Sequence, residues 1–393
     1  MDNITHSLVG VALADLTTGR RATKAQRPLF VGAGIIAANI PDLDFVYSRI
    51  TPAPIGYLLH HRGHTHTVIG VVALAIVLVF AYRFLPSVRN MRLPGQVRFW
   101  LLIAIALASH LLLDALNSYG VHPFYPFDNT WYFGDSVFIL EPSLWLILGV
   151  AAAWNGGTRT ARLAAALPMA ILLCTIASTG EIPPESLLVL AIGGVLFAAV
   201  TFRLSPPRRA AAALAVFVLI VAGFVGTSRL ARRATADAIR PQLRGEIIDV
   251  IVSPNAASPL CWAVIAIELR EAAGEYVLWR GTLSLKPAWR APTACASHQF
   301  TDPRQGRSIG DGSLALRDTA HQPLQRLRTL TQENCWVRAW MRFGRAPVID
   351  SESIFDLRFS DRPGREFTDM RLRREGCPAH VPNWSMPRAD LLK

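Results

Sequence analysis

The chain has 393 residues, a mean hydropathy of +0.31 and only 17% charged residues, against roughly 25% in a soluble globular chain. The charge deficit lies in residues 1–227, which excludes a single soluble domain and predicts a membrane region followed by a polar one at 228–393. The net charge of +12 would suggest nucleic acid in a soluble protein, but much of it is arginine flanking apolar runs, which membrane topology explains, so no nucleic-acid partner is expected.

Met1 is followed by an acid, and the first apolar stretch carries His6 and Asp15, so no signal peptide is read. That stretch, about 4–18, and the next, about 28–41, are short and rich in Gly and Ala. They fit a re-entrant pair or helices that cross only part of the membrane, which requires protein or a wet cavity around them. IPDLDF (40–45) then brings Asp42 and Asp44. HHRGHTHT (60–67) sets His60, His61, His64 and His66 beside Arg62, directly ahead of an apolar run. Six segments approach the about 20 residues that a spanning helix needs: 67–85, 98–117, 137–154, 162–179, 185–202 and 210–227. The fold class expected is therefore a membrane α-helical bundle of six long and two short segments with a C-terminal β-rich domain.

Within the second long segment, SHLLLD puts His110 and Asp114 four residues apart, hence on one helix face. Ionisable groups at that depth are costly and normally paired or facing a cavity. In the loop that follows, Tyr119, Phe124, Tyr125, Trp131 and Tyr132 read as an aromatic belt. Arg62 reads either as a headgroup anchor or as a substrate clamp.

Lys and Arg set the orientation. Arg20, Arg21, Lys24, Arg27, Arg83, Arg89, Arg92, Arg98, Arg159, Arg162, Arg203, Arg208 and Arg209 fall on one set of connections, whereas the alternate set holds only Arg49 and Arg62. The positive-inside rule makes the first set cytoplasmic. HHRGHTHT and the polar region 228–393 are then outside the cytoplasm, although Arg229, Arg232 and Arg233 oppose this weakly.

The polar region reads as β-rich from CWAVIAIELRE, EYVLWRGTLSL, CWVRAWMRF and SIFDLRFSD, which are β-branched and aromatic runs broken by Pro, Gly and Asp. Cys261, Cys295, Cys335 and Cys377 lie there, enough for two disulfides in an oxidising compartment with three possible pairings, or for four buried thiols.

With this topology His6, the Asp42/Asp44 element, HHRGHTHT and His110/Asp114 reach one level, the outer third of the membrane. His and carboxylate together are the usual ligands of zinc and related divalent ions. Asp42, His66, His110 and Asp114 are the first choice of ligands, with His6 and His61 next. More than four ligands suggests one or two ions, or one ion with catalytic side chains around it. Asp44 would be a bridging ligand or general base, and Arg62 would clamp an anionic group.

In order, MDNITHSLVG, PDLD, HRGHTH, HLLLD, NSYG and PF resemble the YdjM-like family of membrane-bound metal-dependent hydrolases over about residues 1–145. The resemblance carries over to His6, Asp42, Asp44, His61, Arg62, His66, His110 and Asp114, leaves His60, His64 and His122 outside its pattern, and finds Asn117 where Thr is more usual. There is a fainter likeness, in ligand order and the H-x-x-x-D spacing alone, to zinc-dependent phospholipase C. The family resemblance implies a membrane-bound metal-dependent hydrolase, and with the topology above the reading favoured is metal-assisted hydrolysis at the outer face of a bacterial inner membrane. A site at membrane depth selects an amphiphilic substrate, a phospholipid or other lipid-linked phosphate ester. Two other classes compete: a transporter or ion pathway using intramembrane His and Asp, and a non-catalytic membrane protein with a structural metal and a partner-binding outer domain.

Overall fold

The computed structural model describes residues 1–18, 26–178, 182, 184–295, 307–360, 364 and 366–393. Arg20, Arg21 and Lys24 of the orientation argument, and residue 179 at the end of the expected segment 162–179, lie outside the described residues.

The apolar runs become helices because backbone groups in hydrocarbon must satisfy one another. In order these are α1 (Asn3–Thr18), α2 (Gln26–Asn39), a 3-10 stretch Ile40–Ile50, α3 (Ile55–His60), a 3-10 turn His64–His66, α4 (Val68–Arg83), α5 (Pro86–Arg89), α6 (Leu93–Asp114), α7 (Pro142–Asn155), α8 (Arg159–Ser178), α9 (Pro184–Thr201) and α10 (Pro206–Ile239). Asp2 caps α1, its Oδ1 accepting from the N–H of Ile4 and Thr5 at 3.0 and 2.9 Å. Thr67 caps α4 by accepting from Gly70 N–H at 2.8 Å. Pro41 cannot donate to a continuing α-helix, and there α2 tightens into the 3-10 stretch that carries Asp42 and Asp44.

By length and composition, four helices among the described residues can cross a membrane: Gln26–Ile50, Leu93–Asp114, Pro184–Thr201 and Pro206–Gln242. Ile55–His66 with Val68–Arg83, bent by 67°, makes a fifth if counted as one span. This differs from six long and two short segments. The second short segment gains length from its 3-10 continuation, whereas α7 has only 14 residues.

α1 lies at the centre, packed on α2, α6, α7 and α10. Gly10 and Gly34 let α1 and α2 touch backbone to backbone, since a Cβ on Gly10 would lie 2.5 Å from Gly34 O. At the C-terminal end of α1 the buried Asp15 accepts from Arg27 at 2.7 and 3.0 Å and from Asn155 at 2.8 Å, while Arg209 donates to Asn155 Oδ1 at 2.6 Å.

α10 is 34 residues long, about 50 Å, and leads directly into the C-terminal β-rich domain, called the outer domain below for its place outside the helix bundle. There β1 (Glu246–Asn255), β2 (Ser258–Arg270), β3 (Glu275–Ser284), β4 (Arg307–Ile309) and β5 (Leu314–Pro323) form an antiparallel sheet in the order β1-β2-β3-β5-β4. α11 (Leu324–Glu333), α12 (Cys335–Trp340) and a small sheet of β6 (Pro347–Ile349), β7 (Ser353–Asp356) and β8 (Met370–Arg371) follow. Disulfides join Cys261 to Cys295 and Cys335 to Cys377.

CWVRAWMRF, expected as a strand, opens with the helix α12. Asn334 caps it, accepting from Trp336 and Val337 N–H at 2.9 and 3.2 Å. Its buried Trp336, Val337, Trp340 and Met341 follow a helical rather than a two-residue period. The expected aromatic belt also divides. Tyr119 and Trp131 are buried, whereas Phe124 and Tyr132 are exposed. The buried pair joins Ile55, Leu58 and Leu59 of α3 in an apolar cluster with Trp340, Phe343 and Trp384 of the outer domain.

Candidate metal centre

All eight residues singled out in the sequence come together at the end of the bundle that carries the outer domain. His110 projects from α6, and its Nδ1 contacts Ala38 O of α2 at 2.6 Å. A carbonyl only accepts, so Nδ1 carries the proton and Nε2 keeps its lone pair. His66 is fixed in the same way. Its Nδ1 lies 3.2 Å from Asp44 Oδ2 and 3.0 Å from Thr65 Oγ1, which turns Nε2 inward. The two Nε2 atoms then face each other at 3.0 Å.

Two carboxylate oxygens complete the set. Asp42 Oδ1 lies 3.4 Å from His66 Nε2 and 3.5 Å from His110 Nε2, and Asp114 Oδ2 lies 3.1 and 3.7 Å from the same atoms. Four ligands at about 2.0–2.1 Å from a tetrahedral zinc would stand about 3.3–3.4 Å apart. The five separations, 3.0–3.7 Å, bracket that value. Two imidazole lone pairs and two carboxylates converging in a buried space repel one another unless a cation or proton lies among them. On that ground the residues fit a divalent ion. Asp42, Asp44 and His61 form a second donor group that shares Asp42.

The other sequence-predicted residues surround these. His61 Nδ1 bonds Asp44 Oδ1 at 2.9 Å. The other Asp44 oxygen accepts from Arg62 N–H and from Thr65 Oγ1, both at 2.8 Å. His6 does not enter the four-atom set. It stacks on His110 at 3.9 Å between ring centroids and reaches Asp114 Oδ1 at 3.2 Å, where the Met1 nitrogen also makes contact. Arg62 is not a headgroup anchor, being only 3% exposed. Its Nε lies 2.9 Å from Asp114 Oδ2, and its Nη1 donates to Asn117 Oδ1 at 2.8 Å. Arg62 has φ +58°, a left-handed conformation that costs about 1–3 kcal/mol in a non-glycine residue and that the hydrogen bond to Asp44 holds. Gly63 is required beside it, because a Cβ there would lie 2.8 Å from His60 O.

His60, His64 and His122 point elsewhere. His60 Nε2 meets Thr51 Oγ1 at 2.9 Å, and His64 packs on Tyr125 and Trp384. His122 lies between Trp131 and Trp384, and burial there lowers its pKa to about 3, leaving it neutral.

Sequence reading missed the supporting shell. Thr65 lies inside the HHRGHTHT motif. Asn117 had been noted only as a departure from a pattern. Tyr119, beneath the Arg62 guanidinium at 5.0 Å, packs on Phe343 and Phe367 of the outer domain. Trp384 Nε1 donates to Leu59 O at 2.7 Å, and Thr51 Oγ1 donates to Ala379 O at 2.9 Å. The outer domain is thus one wall of the site. No local pattern announces contacts across more than 300 residues.

Asp42 and His61 are the open side of the cluster, each with 15% of its side chain exposed, whereas the side chains of His6, Asp44, His66, His110 and Asp114 are fully covered. On that side exposed Tyr57 stacks on His61 at 4.9 Å between ring centroids and exposed Phe367 packs on Tyr57 at 5.5 Å, while Leu43, Phe45 and Val46, in the same 3-10 stretch as Asp42 and Asp44, are exposed as well.

Residues of this chain align with two curated bacterial proteins. Over 163 residues it is 27% identical to the uncharacterized protein YfhP of Bacillus subtilis (strain 168), covering 40% of this chain and 47% of that one. Over 117 residues it is 33% identical to the inner membrane protein YbcI of Escherichia coli (strain K12), covering 30% of this chain and 61% of that one. The chain thus spans about half to three-fifths of the length of these relatives. No solved structure matches it. The family expected from the motifs is the one found: residues 1–182, which hold the whole His/Asp cluster, match the family described as YdjM inner membrane protein.

Proposed function

We propose that this protein is a membrane-embedded, metal-dependent hydrolase acting on a phospholipid or another lipid-linked phosphate ester at the periplasmic face of the inner membrane. One observation carries the reading: the inward Nε2 atoms of His66 and His110 lie 3.0 Å apart with Asp42 and Asp114 beside them, and the cluster's partly exposed side, at Asp42 and His61, belongs to segments that also expose Leu43, Phe45, Val46 and Tyr57. An amphiphile entering from the lipid would keep its chains on Leu43, Phe45 and Val46 while its headgroup met Asp42 and His61.

Asp42, His66, His110 and Asp114 would hold the ion, which their two imidazoles and two carboxylates suit to zinc; Asp42, Asp44 and His61 would hold a second. When bound, such an ion supplies Lewis acidity to a scissile phosphoryl oxygen. Asp44 aims His61 and His66, the orienting role that outer carboxylates play toward ligating imidazoles. Arg62 neutralises Asp114 and offers the rest of its fork to a phosphate oxygen. His6 braces His110. The periplasmic orientation rests on the basic bias of the connections, so a reporter active only in the cytoplasm, fused after Lys393, should be silent.

A second reading is favoured by the same geometry. Four protein ligands already complete a tetrahedral set, as structural zinc sites do. Elemental analysis of the purified protein, followed by a lipid-phosphoesterase screen with the metal found, separates the two. Metal with hydrolysis supports the enzyme, metal without hydrolysis of any phosphate ester supports the structural site, and absence of metal sinks both. For the enzyme, Arg62→Lys should keep the metal while hydrolysis falls about 10- to 100-fold, roughly 1.4–2.7 kcal/mol in transition-state stabilisation.

A further inference from the structure

Among the described residues of the outer domain, Trp289 is the most exposed large apolar side chain, at 78%. It sits in KPAWR, residues 286–290, in an ordered turn. The N–H groups of Trp289 and Arg290 both donate to Lys286 O, at 2.9 and 3.0 Å. The turn thus presents the indole to its surroundings rather than to the domain's own core.

Two independent features set the height of this turn. Arg290 pairs with Glu185, in the first turn of the membrane-length helix α9. The strands give the same level. β2 starts beside Ala257, whose N–H donates to Glu141 at the head of α7 at 3.1 Å. β3 returns antiparallel, with Ser284 opposite Cys261, and Leu285 N–H donates to Leu260 O at 2.9 Å. The opposite end of this hairpin, the turn 271–274, is about 30 Å away along the strands. Residues 285–291 therefore lie where membrane helices begin. Just below, an apolar furrow of about 510 Å³ between α7, α9 and α10 starts at Ser186, next to Glu185, and continues past Val189, Gly193 and Ile220.

We propose that residues 285–291 anchor the outer domain in the membrane interface on anionic phospholipid headgroups. Trp289 enters the boundary between headgroups and acyl chains, as amphipathic indoles do. Lys286 meets lipid phosphate and supplies the preference for anionic lipid. Arg290 is already paired with Glu185 and fixes the turn rather than reading the lipid.

The test uses the full chain reconstituted in vesicles, with Cys174→Ser to remove the free thiol and a spin label on Ala288→Cys, which leaves Trp289 in place. In phosphatidylcholine vesicles with phosphatidylglycerol added, the label should collide more with oxygen than with a water-soluble nickel complex. A label on Ala272→Cys, in the exposed far turn, should show the reverse. Omitting phosphatidylglycerol, or adding Lys286→Glu, should move the 288 label toward water. A 288 label as open to nickel as the 272 label overturns the proposal, and so does a depth that ignores both phosphatidylglycerol and Lys286→Glu.

Discussion

At the end of the bundle away from the outer domain, Asp15, Arg27, Asn155 and Arg209 form a buried polar knot in which donors meet acceptors. Arg27 and Asn155 donate to Asp15, and Arg209 donates to Asn155 and to the carbonyls of Thr201, Phe202 and Leu204. At the other end His66, His110, Asp42 and Asp114 turn acceptor toward acceptor. Both clusters are polar groups in an apolar bundle, and each begins on α1 or beside it. Their difference lies in the balance of protons and lone pairs. The first is complete and braces helices; the second is balanced only when a cation or a proton lies among its acceptors, which makes it the candidate binding site.

The largest effect should come from His110→Ala or Asp114→Ala. Each removes one of the four proposed ligands, so elemental analysis should find bound metal at background, and the proposed hydrolysis should be lost with it. Metal content equal to wild type in both variants would dissolve the contrast between the two ends. Next comes Arg209→Ala in the complete knot. It strands Asn155 and three carbonyls, at a cost of about 3 kcal/mol, and should lower the melting temperature while metal per folded molecule stays at the wild-type value. Loss of metal there would mean that the two ends are not independent. A smaller change is expected for Asp44→Asn, which weakens the aim of His61 and His66. Metal affinity should fall about 10- to 100-fold, the usual range for an outer-shell partner, as read by competition with a chelator. The smallest effect belongs to His64→Ala, whose ring packs on Trp384 outside the cluster. Metal content should not change, and a large drop would show that the ligand set has been drawn wrongly.

Much of this was legible in the sequence, and the reasons differ by element. Long apolar runs can only be helices in lipid, so α4, α6, α9 and α10 stood where the hydropathy put them. The number of spans was less legible, because the 3-10 continuation Ile40–Ile50 extends α2 through a Pro-Asp-Leu-Asp sequence with no helical signal. α12 was read as a strand because Trp and Val favour strands, and the cap at Asn334 outweighed that preference. In the site, His110 and Asp114 declared themselves by spacing. Of the four histidines in HHRGHTHT, the family pattern separated His61 and His66 from His60 and His64, while composition alone did not. The wall built by Phe343, Phe367 and Trp384 was invisible, since long-range packing leaves no period in the chain.

That wall has a consequence for the making of the protein. Trp384 reaches back 325 residues to Leu59, and Ala379 reaches 328 to Thr51. At about 5–20 residues per second of synthesis, roughly 15–65 s separate the emergence of the histidine loop from that of the segment that closes over it. During that interval the contacts made by Trp384 and Ala379 do not yet exist. Loading of such a centre before closure and loading from the Asp42–His61 side afterward would thus be two distinct steps in biogenesis, divided by the synthesis of residues 379–384.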